Sequence, residues 1–191
     1  RMTATVEAAV PAIVVGGYLG AGKTTLVNHL LRHAGGQRIA VLVNDFGALQ
    51  IDADLIEAAD GDTISLANGC ICCSLAGGLV EAMLGILDRP QPPEWVVIET
   101  SGVSDPVAAA QYAHLPGFRL DGVIVVADAE TVRRRSIDRH VGRHVLQQLR
   151  GADLLLLNKT DLITTDQRND LRQWLADIAP DLCHPVAGET I

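Results

Sequence analysis

Residues 17–24 read Gly17-Tyr18-Leu19-Gly20-Ala21-Gly22-Lys23-Thr24, which fits the phosphate-loop pattern G-x-x-x-x-G-K-[ST]. Each position has a physical task. Gly17, Gly20 and Gly22 let the backbone wrap closely round phosphate groups with no Cβ in the way. The N–H groups from Gly20 through Ala21 to Thr25 are expected to point inward and meet the positive end of the helix that follows. Lys23 adds a full charge at the β/γ bridge, and the Thr24 hydroxyl is placed to bind Mg²⁺. The context is the one the motif needs. Residues 12–16 (AIVVG) are a short apolar strand candidate, and residues 25–33 (TLVNHLLRH) carry helical apolar spacing.

The same alternation continues outward. Residues 39–43, 95–99, 122–127 and 153–157 read as further apolar strands, and 63–67 as a short one before Asn68-Gly69. Residues 44–52 read as loop, and 75–88, 136–150 and 165–178 as helices. Strands apolar on both faces, separated by helices, predict a three-layer α/β fold. Its sheet is doubly wound and mainly parallel, the P-loop NTPase class. The chain of 191 residues suits one domain. Hydrophobic residues make up 48% and aromatics only 3%, so the core is built from Val, Ile, Leu and Ala.

The net charge of −8 excludes a general nucleic-acid binder, which needs a basic face. No apolar run approaches the ~18–20 residues of a membrane span, and no signal-peptide layout opens the chain. A cytoplasmic protein that engages neither nucleic acid nor membrane is expected. Three of its four cysteines fall within four positions, which in a reducing compartment reads as metal binding or redox chemistry.

Three further segments carry chemistry. Asn158-Lys159-Thr160-Asp161 follows an apolar strand about 135 residues after the phosphate loop, as a guanine reader does. The Asp161 carboxylate accepts from the ring N–H and the exocyclic amine of guanine, donors that adenine lacks at that edge. Asn158 would tie this loop to the phosphate loop, and the Lys159 stem would lie along the base. Glu99 ends an apolar strand where a carboxylate can hold Mg²⁺ or its waters, and the N–H of Gly102 can sense a γ-phosphate. Asp45, in the loop after the second strand, is the acidic side chain expected to order Mg²⁺ or the attacking water. Cys70, Cys72 and Cys73 can serve as thiolates to one soft or borderline metal, Zn²⁺ by default. Adjacent residues diverge on an ideal strand, so this segment is expected to be a loop. Cys183-His184 reads as structural, and Arg133-Arg134-Arg135 as a solvated helix face.

Taken in order, GYLGAGKTTLVNHLL, VNDFGALQIDADLI, LANGCICCSL, VVIETSGVSDP, LDGVIVVADA and ADLLLLNKTDL resemble the CobW family of P-loop GTPases, relatives of the HypB and UreG metallochaperones. The resemblance runs from about residue 12 to residue 187. It implies that GTP binding and hydrolysis to GDP are coupled to delivery of zinc or cobalt to a client metalloprotein. Cys70, Cys72 and Cys73 would form the metal site, and Lys23, Asp45 and Glu99 would serve the hydrolytic centre with Mg²⁺. A nucleotide-dependent homodimer is compatible with such a domain. His184-Pro185-Val186-Ala187 looks like the family's N-P-x-A with His in place of Asn, leaving Ala187 to back the guanine. The family usually continues into a smaller C-terminal domain, so residues 1–191 are read as one GTPase domain with that part absent.

Two other classes share some of these features. A small-molecule P-loop kinase needs a second, basic substrate pocket, and N-K-T-D disfavours it. A zinc sensor would use nucleotide only as a structural ligand. The guanine reading is testable at one residue: Asp161→Asn should weaken GTP and favour xanthosine nucleotides, whose ring edge exchanges a donor for an acceptor. Equal affinity of the unaltered chain for ATP and GTP, measured by calorimetry, contradicts it.

Overall fold

The computed structural model describes residues 9–43, 78–180 and 182 in full, and the backbone of 56–60, 63–66, 71–74 and 185–186. Among these residues the strands are β1 (Val10–Gly16), β2 (Ile39–Val43), β3 (Ile56–Asp60), β4 (Thr63–Leu66), β5 (Ile71–Ser74), β6 (Trp95–Glu99), β7 (Phe118–Asp128), β8 (Leu154–Asn158) and β9 (Pro185–Val186). They form one sheet in the order β3-β4-β5-β2-β6-β1-β7-β8-β9. From β5 to β9 neighbouring strands pair in parallel, and β3 and β4 add an antiparallel edge.

Two packed clusters lie on the two sides of this sheet, and the strand period of two divides the residues between them. Ala12, Val14, Leu42, Ile98 and Val125 belong to one cluster, and Val15, Val41, Val43, Val97 and Val126 to the other. Helix α1 (Lys23–Arg32) covers the second cluster with Leu26, Val27 and Leu31. The first cluster is covered by α2 (Leu79–Leu87), α3 (Pro106–Ala110), α4 (Val132–Ser136), α5 (Gly142–Arg150) and α6 (Thr165–Ile178). Helices on both faces of a largely parallel sheet make the expected three-layer α/β fold.

Two local expectations are corrected. The helix expected over 136–150 starts only at Gly142, because α4 ends at Ser136 and the chain turns between the two. The Asp138 side chain accepts from the N–H groups of His140 (2.8 Å) and Val141 (3.2 Å), a local alternative to helical hydrogen bonding. A side chain at residue 142 would put its Cβ 2.4 Å from the Ser136 carbonyl oxygen, so the close crossing requires Gly142.

The segment carrying Cys72 and Cys73 is strand β5, not a loop. Cross-strand pairing wins over the local glycine signal: Cys72 is in register with Val41 on one side and Ile64 on the other, and Cys73 with Leu42 and Thr63. Adjacent strand positions belong to opposite faces, so positions 72 and 73 do not share one. Cys70 lies outside the described residues.

Candidate functional site

The carboxyl ends of β1, β6, β7 and β8 meet at one edge of the sheet, where ligands gather in open α/β folds. Val15 of β1 is in register with Glu99 of β6, and Asp128 of β7 with Asn158 of β8. The phosphate-loop segment leaves β1 there and enters α1 at Lys23. An open cavity is lined by Gly20, Gly22, Lys23, Thr24, Thr25, Asn158 and Lys159, so most of the predicted phosphate and base residues come together. Gly17 sits beneath them with φ +135°. Ala21 departs from expectation. Its N–H closes a turn onto the Tyr18 carbonyl (3.1 Å), so that amide is spent inside the loop.

Lys23 is nearly buried, and its ammonium donates to the carbonyl of Gly17 at 2.9 Å. The Thr24 hydroxyl donates to Glu99 Oε1 at 3.1 Å. The other carboxylate oxygen, Glu99 Oε2, is buried and has no hydrogen-bond partner among the described residues. An unpaired buried carboxylate oxygen beside a hydroxyl fits a divalent cation or its water shell, so Thr24 and Glu99 suit Mg²⁺. Asp45, the third residue expected there, lies outside the described residues, as does Ala187 on the base side.

Burial shifts both charged groups. It pushes the Glu99 carboxyl up, with the Thr24 hydrogen bond and the Lys23 charge offsetting part of the shift. It pulls Lys23 down, against the charge of Glu99. Both shifts make the charged site costly to fold near neutral pH. Stability from Glu99 is greatest below its ordinary 4.5 and is lost as pH rises through the raised folded value. Stability from Lys23 is full above its ordinary 10.5 and is lost as pH falls through the lowered folded value. A bound cation and polyanion would offset both.

The base-side loop is locked onto the phosphate loop. Asn158 is buried, and its Nδ2 donates to the Ala21 carbonyl at 3.0 Å. Gly22 has φ +105°, and a Cβ on it would lie 2.2 Å from that same Nδ2. Glycine is therefore needed here both for the turn and for the approach of Asn158. Lys159 has φ 59°, an uncommon conformation for a side-chain-bearing residue. Its N–H donates to Asn158 Oδ1 (2.8 Å) and its ammonium pairs with Asp128 Oδ2 (2.9 Å), which hold it there. Asp161 follows in an exposed 3₁₀ turn, Thr160–Leu162.

Sequence reading passed over three residues at this site. Asp128 ends an apolar strand in a carboxylate, the same signal that drew attention to Glu99. Burial raises its pKa, but the Lys159 hydrogen bond and charge and the N–H groups of Thr131 and Glu130 outweigh that and hold it below the ordinary value. Arg135 is not part of a solvated face. Its guanidinium donates to the Leu19 carbonyl at 2.7 Å and lies over the Tyr18 ring at 4.8 Å, so α4 buttresses the phosphate loop. Gln148 is fully buried on α5, and its amide nitrogen reaches the carbonyls of Gly102 (3.2 Å) and Ser104 (2.8 Å). Gly102 in turn packs against the loop so closely that a Cβ would lie 2.6 Å from Leu19 N.

With this geometry in view, the model of the CobW/HypB/UreG nucleotide-binding domain matches residues 11–183. The chain belongs to the CobW/HypB/UreG family. It is 37% identical over 183 residues to a zinc chaperone CobW of a Sinorhizobium species, covering 81% of this chain and 52% of that protein. It is also 37% identical over 155 residues to the zinc chaperone YjiA of Escherichia coli K12, covering 76% and 48%. The chain thus spans about half the length of these curated relatives. The crystal structure of Zn(II)-bound YjiA GTPase from E. coli superposes with a TM-score of 0.69 at 34% identity, over 89% of this chain and 55% of that one. Hydrogenase maturation factor HypB from Archaeoglobus fulgidus, at 17% identity and a TM-score of 0.52, shares the fold. This CobW-family domain is of the P-loop GTPase kind, and no helix among its described residues is long and apolar enough to cross a membrane.

The raised Glu99 carboxyl gives a pH test. Mg²⁺ competes with a proton for this group, so Mg²⁺-dependent nucleotide binding should weaken on acidification from above the ordinary carboxylate range. Glu99→Gln should weaken Mg²⁺ and flatten this profile. A steep profile retained in Glu99→Gln contradicts the assignment.

Proposed function

We propose that this domain binds Mg²⁺ and GTP at the phosphate loop, hydrolyses GTP to GDP and phosphate, and uses the nucleotide state to control delivery of zinc or cobalt to a client metalloprotein. The observation that carries the reading is the cavity lined by Lys23 and Thr24 on one side and by Asn158 and Lys159 on the other, with the Thr24 hydroxyl bonded to Glu99 and Asn158 tied to Ala21. Lys23 neutralises the β/γ bridge, and the remaining loop amides and the N-terminal end of α1 orient the phosphates. Mg²⁺ held by Thr24 and Glu99 would supply charge neutralisation between the phosphates. Gly102 N–H senses the γ-phosphate, and Asp45 serves the metal or the attacking water. Asp161 reads guanine, Lys159 lies beside it and Ala187 backs the base.

Family membership and the zinc-chaperone names of relatives support the metal half of the reading. Cys70, Cys72 and Cys73 would bind the cargo metal as thiolates. Strand β5 refines how. Positions 72 and 73 belong to opposite faces of β5, so a single metal held by both thiolates requires this strand to depart from its regular pleat. Residues 72 and 73 pair directly with β2, whose last residue Val43 is in register with Glu99, so the metal strand and the Mg²⁺ carboxylate share one hydrogen-bonded ladder.

Coupled sites must influence each other by the same factor. Zinc affinity is therefore expected to differ between the GDP and GTP-analogue forms by roughly 5–150-fold, and GTP affinity to respond to zinc by the same factor. Replacing Cys70, Cys72 and Cys73 together by Ser should abolish this zinc binding and leave GTP binding largely intact. Zinc titrations giving identical affinity in the apo, GDP and GTP-analogue forms would overturn the coupling.

A further inference from the structure

Basic residues are unevenly distributed in this acidic chain. Six of its 15 Lys and Arg residues are the arginines between Arg133 and Arg150, and Asp138 is the one carboxylate in that stretch. Arg133 pairs with Asp170, and Arg135 holds the phosphate loop. Arg143 and Arg150 lie on α5 seven residues apart, with Gln147 between them, so the three share one helix face.

That face forms one wall of an open groove. The groove is lined by Asp105, Val107, Arg143, Gln147, Arg150 and Gly151. Its opposite wall is the start of α3, and the two helices touch closely: a Cβ on Gly151 would lie 2.4 Å from Val107 Cγ2. Asp105 keeps its negative charge, so the lining carries two guanidiniums to one carboxylate, and both oxygens of that carboxylate are already held. Oδ1 accepts from Val107 N–H (2.9 Å) and Oδ2 from Gln147 Nε2 (2.8 Å). Both guanidiniums are exposed. Among the described residues, Arg150 donates from its Nε to the Ile178 carbonyl at 3.3 Å, a bond that does not use its terminal nitrogens.

Two exposed guanidiniums about two helical turns apart, over an apolar floor, suit carboxylates presented along an extended acidic segment. Among the described residues the groove is lined by no aromatic ring on which a base could stack, and the chain as a whole is acidic. Both features disfavour nucleic acid.

The groove is also wired to the nucleotide site. Ser104 directly precedes the groove residue Asp105. The buried Gln148 amide, next to Gln147 on α5, holds the carbonyls of both Gly102 and Ser104. The Gly102 turn and both groove walls are therefore joined through one buried amide. We infer that the α3–α5 groove docks an acidic segment of a partner protein through Arg143 and Arg150, and that the Gly102 turn makes this docking responsive to nucleotide. The nucleotide arm rests on the function proposed above; the docking arm does not.

The test uses a labelled oligoglutamate peptide, with oligoglutamine as the neutral control, read by fluorescence anisotropy. Oligoglutamate should bind, weaken with added salt, and lose roughly tenfold affinity in Arg143→Glu, with a further loss when Arg150→Glu is added. Arg143→Glu changes an exposed side chain, so a failure to fold does not confuse the result. Unchanged binding in both variants, equal binding of oligoglutamine, or displacement by a single-stranded oligonucleotide at lower concentration than by oligoglutamate would overturn the docking. The same titration is run with GDP and with a non-hydrolysable GTP analogue. Different oligoglutamate affinities in the two are expected, and equal affinities with both nucleotides bound overturn the coupling. A chain that binds neither nucleotide marks failure of the proposed function instead, and the arginine variants still decide the docking.

Discussion

The constraint on which the rest of this structure depends is the burial of two opposite charges, Lys23 and Glu99, under one loop at the carboxyl edge of the sheet. Water would solvate either group better than this pocket does, and both pKa shifts have burial as their largest cause. Such an arrangement persists only where the fold over-determines it. Here Lys23 is fixed as the first residue of α1 and Glu99 as the last residue of β6, between β1 and β2. Helix α1 packs Leu26, Val27 and Leu31 into one cluster, and β6 packs Val97 into that cluster and Val96 and Ile98 into the other, so the hydrophobic core supplies the energy that keeps the charges in place. The oxygen left unpartnered, Glu99 Oε2, is the point at which a ligand would complete the arrangement.

The second layer of constraint joins distant parts of the chain around that pair. Asn158 reaches Ala21 across 137 residues, Lys159 ties back to Asp128, Arg135 holds Leu19, and Gln148 holds Gly102 and Ser104. Apart from the Lys159–Asp128 ion pair, each contact ends on a backbone carbonyl of the phosphate loop or of the Gly102 segment beside it. The loop is thus positioned by side chains from β8, α4 and α5 rather than by its own sequence alone. The same links connect the phosphate loop to the segment that leads into the α3–α5 groove.

How far this was legible in the sequence follows from which interactions are local. Helix α6 was read with its observed bounds because its start signal is local: Thr164 caps the Gln167 N–H and Gln167 returns to the Thr164 N–H. The phosphate-loop residues and Glu99 were readable because a turn between an apolar strand and a helix, and a carboxylate at a strand end, are local patterns. Strand β5 was missed because its conformation is decided by partners in β2 and β4, which no glycine signal beside it reveals. The division between α4 and α5 was missed because helical spacing concealed the Asp138 turn. Arg135 looked solvated for a similar reason: its partner Leu19 lies 116 residues away.

The most direct test of the central claim is phosphate release from GTP by the purified chain, with Lys23→Ala as the control. The side chain of Lys23 lines the cavity rather than filling the core, so that variant should keep its fold by circular dichroism. The account predicts slow, Mg²⁺-dependent release from GTP, little from ATP, and loss of most of the activity or nucleotide affinity in Lys23→Ala. Undiminished GTP hydrolysis by a folded Lys23→Ala variant would contradict it, because the charge buried beneath this loop would then have no part in holding the phosphates.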